Sequence, residues 1–527
     1  MSRLIDSARS HTLGDLPRRT ADRYPDKLAV LDGARSFTFA EFNVVVNRTA
    51  NAMGEQGIGH GDRVALLSHN CWEYVVLAYA AARLGAILVP LNFMLGGDEV
   101  AWILEHSGAI ALVCEDKMHG VAARAIDALA SPPRILGWIS SDDVVPPDGW
   151  APFTAWTAHP DDREPATRVA DDEPLRLMYT SGTESLPKGA LLSSRSLIAQ
   201  YVSCIVDGGM DADDIEVHSL PLYHTGQLDC FLGPDIYLGA TSIILPGPDP
   251  KDVLSAIERY SATKLFAPPT VWIALMNSPE FPTTDLSTLR KGYYGASPMP
   301  VEVLQEMQRR MPDVRLWNVY GQTELAPLAT VLKPHEQVAH PGSAGRPVLN
   351  VETRIVDDSG HAVGPGVIGE IVHRSPQATL GYFNDPERTA AAFEGGWFHS
   401  GDLGTMSADG LLSVVDRKKD MIKTGGENVA SREVEEMIYA HPAVSEVAVF
   451  GLPDPYWVEA VTAAVVLRDG RTLTEAELIN YSRAHLAGFK TPKRVYILDS
   501  LPKNPSGKIL KRELRERFMR EMEMSVG

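Results

Sequence analysis

The stretch Tyr179-Thr180-Ser181-Gly182-Thr183-Glu184-Ser185-Leu186-Pro187-Lys188-Gly189 carries four serine and threonine hydroxyls, two glycines and one lysine. It follows directly on Leu175 to Met178, which reads as an apolar run. Successive backbone N–H groups, hydroxyls and an ammonium supply the hydrogen bonds and charge neutralisation that a polyphosphate requires. Gly182 lets backbone approach an oxyanion with no Cβ in the way. A Walker-type loop needs Gly-Lys followed by Ser or Thr. Here Pro187 precedes the lysine and Gly189-Ala190 follow it, so a second kind of phosphate loop is implied. Alone, a Ser/Thr/Gly-rich turn is more often a plain surface loop, and its meaning depends on distant residues.

Outward from the loop, short apolar runs alternate with helical patterns from about residue 60 onward. Arg63 to Leu67 reads as a strand, Trp72 to Leu84 as a helix and Ala86 to Leu91 as a strand. Ile110 to Val113, Thr241 to Leu245, Lys264 to Ala267 and Arg315 to Val319 repeat the strand pattern. Strands buried on both faces and separated by helices predict an α/β fold with mainly parallel sheets. The charged run Asp416-Arg417-Lys418-Lys419-Asp420 reads as a linker. Beyond it come a helix (Arg432 to Tyr439), strands at Val447 to Phe450 and Val461 to Leu467, and a helix opened by a Thr474/Glu477 capping box. A strand at Arg494 to Leu498 and a charged helix from Ile509 complete a small α+β domain.

A chain of 527 residues exceeds one hydrophobic core, so at least two domains are expected. The hydrophobic fraction is 44% and mean hydropathy −0.09, which describes a soluble globular protein. The net charge of −19 argues against a broad nucleic-acid surface. Cys71, Cys114, Cys204 and Cys230 show no paired spacing and read as reduced thiols of a cytoplasmic protein. The most hydrophobic stretch, Val75 to Leu95, is interrupted by Arg83, Gly85, Pro90 and Asn92, so no membrane span is expected.

Three further segments offer chemistry. Tyr320-Gly321-Gln322-Thr323-Glu324 follows the strand expected to end at Val319, beyond which ligands of open α/β sheets bind. An aromatic ring there can stack on a base, Thr323 can reach a phosphate, and Glu324 can hold Mg²⁺ through oxygen. Asp402, within Gly396 to Asp402, offers two acceptor oxygens suited to a ribose diol. Near the C-terminus, Pro502 to Lys508 presents a lysine on a turn before a helix, where an ammonium can reach a phosphoryl or carboxylate oxygen.

In order, YTSGTESLPKG, LPLYHTG (Leu220 to Gly226), YGASPMP (Tyr294 to Pro300), YGQTE, GWFHSGDLG, DRKKDMIKTGGENVASREVE and PKNPSGKILKREL resemble the adenylate-forming enzymes. That superfamily comprises acyl-CoA synthetases, carrier-loading adenylation domains and firefly-type luciferases. The resemblance covers essentially the whole chain. It implies a large N-terminal domain, residues 1–418, binding ATP and the acid. A small mobile α+β domain, residues 419–527, would carry the catalytic lysine and turn on a hinge at Lys419.

By the same resemblance, Thr180, Ser181, Gly182, Thr183 and Lys188 would hold the β- and γ-phosphates. Gly295, Ala296 and Ser297 would border the adenine, with Asn318 at its edge and Tyr320 stacked on it. Thr323 would contact the α-phosphate, Glu324 would ligate Mg²⁺, and Asp402 and Arg417 would bind the ribose. Lys508 would bridge the attacking carboxylate and the α-phosphate. Lys423, Gly425 and Gly426 would face a pantetheine channel, and His224 would sit near the reacting carboxylate; a structural histidine packed beneath the loop is the rival reading. Gln227, Leu228, Thr270, Tyr293, Leu325 and Ala326 would line the acid pocket, and their mostly uncharged character suits a fatty or aryl acid better than a dicarboxylate.

GGENV followed by SREVE resembles the fatty-acyl and aryl-acid CoA ligase branch. The implied activity is an ATP-, Mg²⁺- and CoA-dependent carboxylate–CoA ligase working on a small-molecule acid. Transfer of the acyl group to an amine or a carrier-protein thiol is the rival activity. Oligomeric state, a homodimer included, is left open. Two departures stand out. The usual phosphate loop has Thr-Gly where this chain has Glu184-Ser185, and a carboxylate beside a triphosphate repels it by on the order of 1 kcal/mol, so Glu184 is expected to point to solvent, with approach to a bound cation or weakened ATP binding as the alternatives. Val458 stands in Asp454-Pro455-Tyr456-Trp457-Val458-Glu459 where the family commonly has glycine.

Overall fold

Apolar runs too short for helices pair as strands, and the longer periodic segments cover them. Arg63–Leu67 pairs in parallel with Ile87–Pro90 on one side and Ala111–Glu115 on the other. The crossover helix Trp72–Leu84 is buried along its whole length, as a helix apolar on nearly every face must be. It ends at Gly85, whose φ of +70° is the left-handed cap conformation. A Cβ there would also come within 2.7 Å of the His60 ring. The computed structural model describes residues 8–141, 144–180, 187–297, 299–424, 427–503 and 509–526.

Among the described residues, one sheet has eight strands, with Pro174–Thr180 joining the parallel set through Ile87–Pro90. Lys188–Ser193 returns antiparallel to Pro174–Thr180 and pairs in turn with Gly381–Tyr382. A second sheet of nine strands carries the parallel neighbours Ile215–His218, Lys264–Phe266, Lys291–Gly295 and Arg315–Gly321. Side chains from both sheets and the intervening helices form two large apolar cores. A four-stranded antiparallel sheet follows, ending in Phe398–Met406 and Leu412–Arg417.

The smaller C-terminal domain is built on the antiparallel strands Val444–Asp454 and Val458–Leu467, with Arg494–Leu498 parallel to the latter. Helices Ser431–Tyr439, Glu475–His485 and Lys511–Val526 cover it, and Thr474 and Glu477 form the expected capping box. The α/β architecture and its two-domain plan therefore agree with the sequence reading. No helix among the described residues is long and apolar enough to cross a membrane.

Several local readings need correction, among them the linker expected at Asp416 to Asp420, whose first two residues belong to Leu412–Arg417, and the strand expected at Val447 to Phe450, which runs Val444–Asp454. The strand expected to end at Val319 continues through Gly321, because Tyr320 and Gly321 pair antiparallel with Thr330 and Leu328. The terminal helix begins at Lys511 rather than Ile509, which instead makes a bridge to Lys503. The run Leu175 to Met178 is not wholly apolar inside. Arg176 is buried within it, 3.8 Å from the equally buried Asp229.

Candidate active site

Two adjacent strands, Lys291–Gly295 and Arg315–Gly321, end side by side, with Gly295 opposite Val319 and Tyr294 opposite Asn318. A Cβ on Gly295 would lie 2.3 Å from the Val319 carbonyl oxygen, so only glycine permits this approach. Ala296 then turns the chain with a φ of +63° and is exposed, while Ser297 is half-buried. Asn318 donates to the Ser343 carbonyl at 2.7 Å.

Tyr320 leaves the same strand end and donates to Asp402 Oδ2 at 2.7 Å. Asp402 is buried, its backbone N–H bonds Ser400, and its Oδ1 lies 3.3 Å from Arg417 Nε. Arg417 is its direct cross-strand neighbour. Burial pushes the Tyr320 phenol well above its usual range, and the Asp402 charge adds to this, so the O–H remains a donor. The sequence-derived base and ribose candidates thus meet at one place.

The other end of the same segment meets the loop stem. Thr323 is buried with its hydroxyl 3.3 Å from that of Thr225. Glu324 is buried, and its Oε1 lies 2.6 Å from Lys188 Nζ. Lys188 also donates to the Tyr382 hydroxyl at 2.6 Å, and that hydroxyl donates to Glu324 Oε1 at 2.8 Å. At the start of the loop, the Thr180 hydroxyl is buried without a hydrogen-bond partner among the described residues. An orphaned hydroxyl, a buried oxygen ligand and an ammonium are the donor set that a magnesium–polyphosphate group fits.

Tyr382 is the member that sequence reasoning missed. The signal available was the Gly-Tyr pair at 381–382, followed by the Asp385-capped helix Pro386–Ala392. Its proximity to Lys188 and Glu324 arises only through the pairing of Gly381–Tyr382 with Lys188–Ser193.

His224 is exposed, and its Nδ1 accepts from the Gly226 N–H at 3.1 Å, which removes the reading of a histidine packed beneath the loop. Gln227 is buried with both ends of its amide engaged. Its oxygen accepts from Leu220 N–H at 3.3 Å, and its nitrogen lies 2.7 Å from His218 Nδ1. Behind His218 lie Glu216, Asp235 and Lys264, all fully buried. Of the three possible metal ligands Glu216, His218 and Asp235, the two carboxylates already share a cation, the Lys264 ammonium, 2.8 Å from Glu216 and bonded to Asp235, while His218 Nε2 lies 3.3 Å from Asp235. Burial opposes the charge on Lys264, yet Asp235 and Glu216 hold it well above the usual lysine range.

Leu228 and Ala326 share one apolar core, whereas Leu325 packs with Ala329 and Phe398. Tyr293 stacks on Trp317 and donates to the Gly208 carbonyl at 2.7 Å, and Thr270 is half-buried. Lys419 and Lys423 are exposed, and the Lys423 backbone N–H bonds Glu459 at 2.7 Å. Ser181, Gly182, Thr183, Glu184, Ser185, Gly425, Gly426 and Lys508 lie outside the described residues.

A profile described as AMP-binding enzyme matches residues 17–383, and one described as AMP-binding enzyme C-terminal domain matches residues 433–508. The feruloyl-CoA synthase of an Amycolatopsis species is 38% identical over 511 residues, covering 97% of this chain and 100% of that protein. The anthranilate CoA ligase AuaEII, solved with anthranoyl-AMP, superposes with a TM-score of 0.89 at 27% identity over 96% of this chain and 97% of that one. The amide bond synthetase McbA of Marinactinospora thermotolerans superposes with a TM-score of 0.86 at 32% identity, covering 96% and 100%.

Proposed function

The chain belongs to the AMP-binding enzyme family, and from that premise we propose that it joins an aryl or fatty acid to coenzyme A at the expense of ATP. The observation that carries this reading is the continuity of residues 320–324. One end bonds Asp402 through Tyr320, with Arg417 paired to the same carboxylate, and the other bonds Lys188 through Glu324. A nucleotide laid along this segment would find a diol acceptor at one end and phosphate partners at the other.

In the first half-reaction a carboxylate oxygen attacks the α-phosphorus, the bond to the bridging oxygen breaks, and pyrophosphate leaves. Two anions must approach while charge grows at phosphorus, so fixed cations act mainly in the transition state. Lys508 serves there, between the carboxylate and the α-phosphate, and Lys188 holds the outer phosphates with Thr180 and Thr183. Glu324 would hold Mg²⁺, which when bound neutralises phosphate charge. In the second half-reaction the thiol sulfur attacks the acyl carbonyl and AMP leaves. The small domain turns about Lys419 between the two, withdrawing Lys508 and presenting Lys423.

Aryl and fatty acids both stay within the reading, because similar proteins include a feruloyl-CoA synthase and a long-chain-fatty-acid–CoA ligase of Mycobacterium tuberculosis, 35% identical over 482 residues. A cytoplasmic setting belongs to the same reading. The amide-forming alternative draws support from the likeness to McbA. Product analysis with ATP, Mg²⁺ and a panel of aryl and fatty acids, with and without CoA, tests the proposal. A thioester together with AMP is expected; acyl-adenylate with no thioester on adding CoA overturns the CoA assignment. Lys508→Ala is expected to abolish pyrophosphate exchange in a folded protein, and near-normal exchange would remove Lys508 from its role.

A further inference from the structure

Lys188 and Glu324 are destined, on the reading above, for a phosphate and a divalent cation. In the structure they pair with each other at 2.6 Å. Glu324 Oε1 accepts from both Lys188 and the Tyr382 hydroxyl. The Lys188 ammonium also lies 4.4 Å from the centroid of the Tyr382 ring. The tyrosine is itself fixed. Its backbone N–H bonds the Thr389 hydroxyl at 2.9 Å, and its strand is held to Ala190 and Leu191. Glu324 is anchored from the same segment, since the Thr379 N–H donates to its carbonyl at 2.7 Å.

We infer that Tyr382 is a positioning residue that holds the Glu324 carboxylate in register for a metal–nucleotide complex after Lys188 leaves it for the phosphates. The inference rests on the ATP-binding reading given above. When Lys188 departs, a lone buried carboxylate is free to rotate, and the tyrosine O–H retains one of its oxygens. The other oxygen then faces the incoming cation in one orientation, the preorganisation that a hard oxygen ligand requires. The tyrosine O–H is the donor in this bond, and a carboxylate oxygen can only accept it. A hydrogen bond to a charged group corresponds to about tenfold or more in an equilibrium. Tyr382→Phe retains the ring over Lys188 and removes this bond together with the one the hydroxyl accepts from Lys188.

The test is ATP affinity by isothermal titration calorimetry with and without Mg²⁺, on full-length protein. Wild type is expected to gain affinity when Mg²⁺ is added. Tyr382→Phe is expected to forfeit about tenfold of that gain, with a smaller change in the metal-free affinity. In a Glu324→Gln background the tyrosine substitution should have no further effect on the gain, because its partner carboxylate is gone. A merely structural tyrosine would weaken binding equally with and without metal and in both backgrounds. Tyr382→His, which returns a ring donor, is expected to recover part of the gain and serves if the phenylalanine variant folds poorly. An unchanged Mg²⁺-dependent gain in a folded Tyr382→Phe protein, or complete loss of the gain in a folded Tyr382→His protein, overturns the assignment. Absence of ATP binding by wild type would instead overturn the nucleotide reading beneath it.

Discussion

Val458→Gly is expected to stabilise the hairpin of the small domain. Val458 has a φ of +70°, a left-handed backbone that a β-branched residue rarely adopts. It begins the strand Val458–Leu467, opposite Asp454 and Thr424. Left-handed geometry costs an L-residue roughly 1–2 kcal/mol, and a branched Cβ belongs at the upper end of that range. Opposing losses are small, because the residue is 69% exposed. Removing its limited apolar contact costs about 0.5 kcal/mol. The extra freedom of glycine in the unfolded chain costs about 0.5 kcal/mol more. The balance is a stabilisation of about 1 kcal/mol, or about fivefold in an opening equilibrium. Amide hydrogen exchange read by mass spectrometry across 444–467 measures this locally, without assuming that a two-domain protein unfolds in one step. Exchange there should slow about fivefold in the glycine variant. Val458→Ala, which keeps a Cβ, should fall between the two. A glycine variant that exchanges as fast as wild type or alanine would refute the strain argument.

Replacing Glu184-Ser185 with Thr-Gly is expected to leave the Michaelis constant for ATP unchanged, because a solvent-facing carboxylate does not meet the triphosphate; a fall of about fivefold, the equivalent of about 1 kcal/mol of relieved repulsion, would mean that Glu184 faces the phosphates. Glu73 is 8% exposed, and burial, reinforced by Asp32 and opposed by Arg35, raises its carboxyl from 4.5 to about 7. Between those values the folded protein holds a proton that the unfolded chain has released, so the contribution of Glu73 to stability is fully present below pH 4.5 and is lost as pH rises through 7, by at most about 3 kcal/mol. Glu73→Gln should flatten the fall in melting temperature over this window and melt a few degrees higher at pH 8, and coincident profiles for the two proteins would contradict the assignment.

How much the sequence disclosed depended on the range of the interaction involved. Arg63–Leu67, Trp72–Leu84 and Arg494–Leu498 were readable to the residue, because apolar periodicity and flanking turns define them locally. The end of Arg315–Gly321 was not, since Tyr320 and Gly321 are strand only by virtue of Leu328–Leu332 folding back on them. The base, ribose and phosphate candidates came from ordered motifs, and the structure brings Tyr320, Asp402 and Arg417 together and Lys188 to Glu324. That Lys188 and Glu324 would bond each other lay outside any motif, which names each residue by its ligand. The Arg176–Asp229 pair and the Lys264 cluster were hidden for a related reason. A charged residue inside an apolar run looks like an interruption until its partner from another element is placed beside it.

Asp416 shows what the strand pleat adds to such a reading. In sequence it is the first residue of a charged linker, whereas in the structure it is buried in the strand Leu412–Arg417. Its carboxylate accepts from the Ser431 backbone N–H at 2.6 Å and from the Ser431 hydroxyl at 2.7 Å. Ser431 opens the helix Ser431–Tyr439, where an anion also meets the positive end of the helix dipole. The Lys511 ammonium donates to the same hydroxyl at 2.7 Å and pairs with Glu435, carrying the connection into the final helix. Successive residues of a strand face opposite ways, so the next residue, Arg417, turns instead to Asp402 at the ribose end of the site. One strand thus presents its nucleotide contact on one face and its tie to the small domain on the other, two residues before the proposed hinge at Lys419. A nucleotide that draws Arg417 towards a ribose acts on the same short backbone segment that anchors the helix Ser431–Tyr439. On the proposed function, the pleat of Asp416 and Arg417 is the shortest connection between the nucleotide and the helix Ser431–Tyr439.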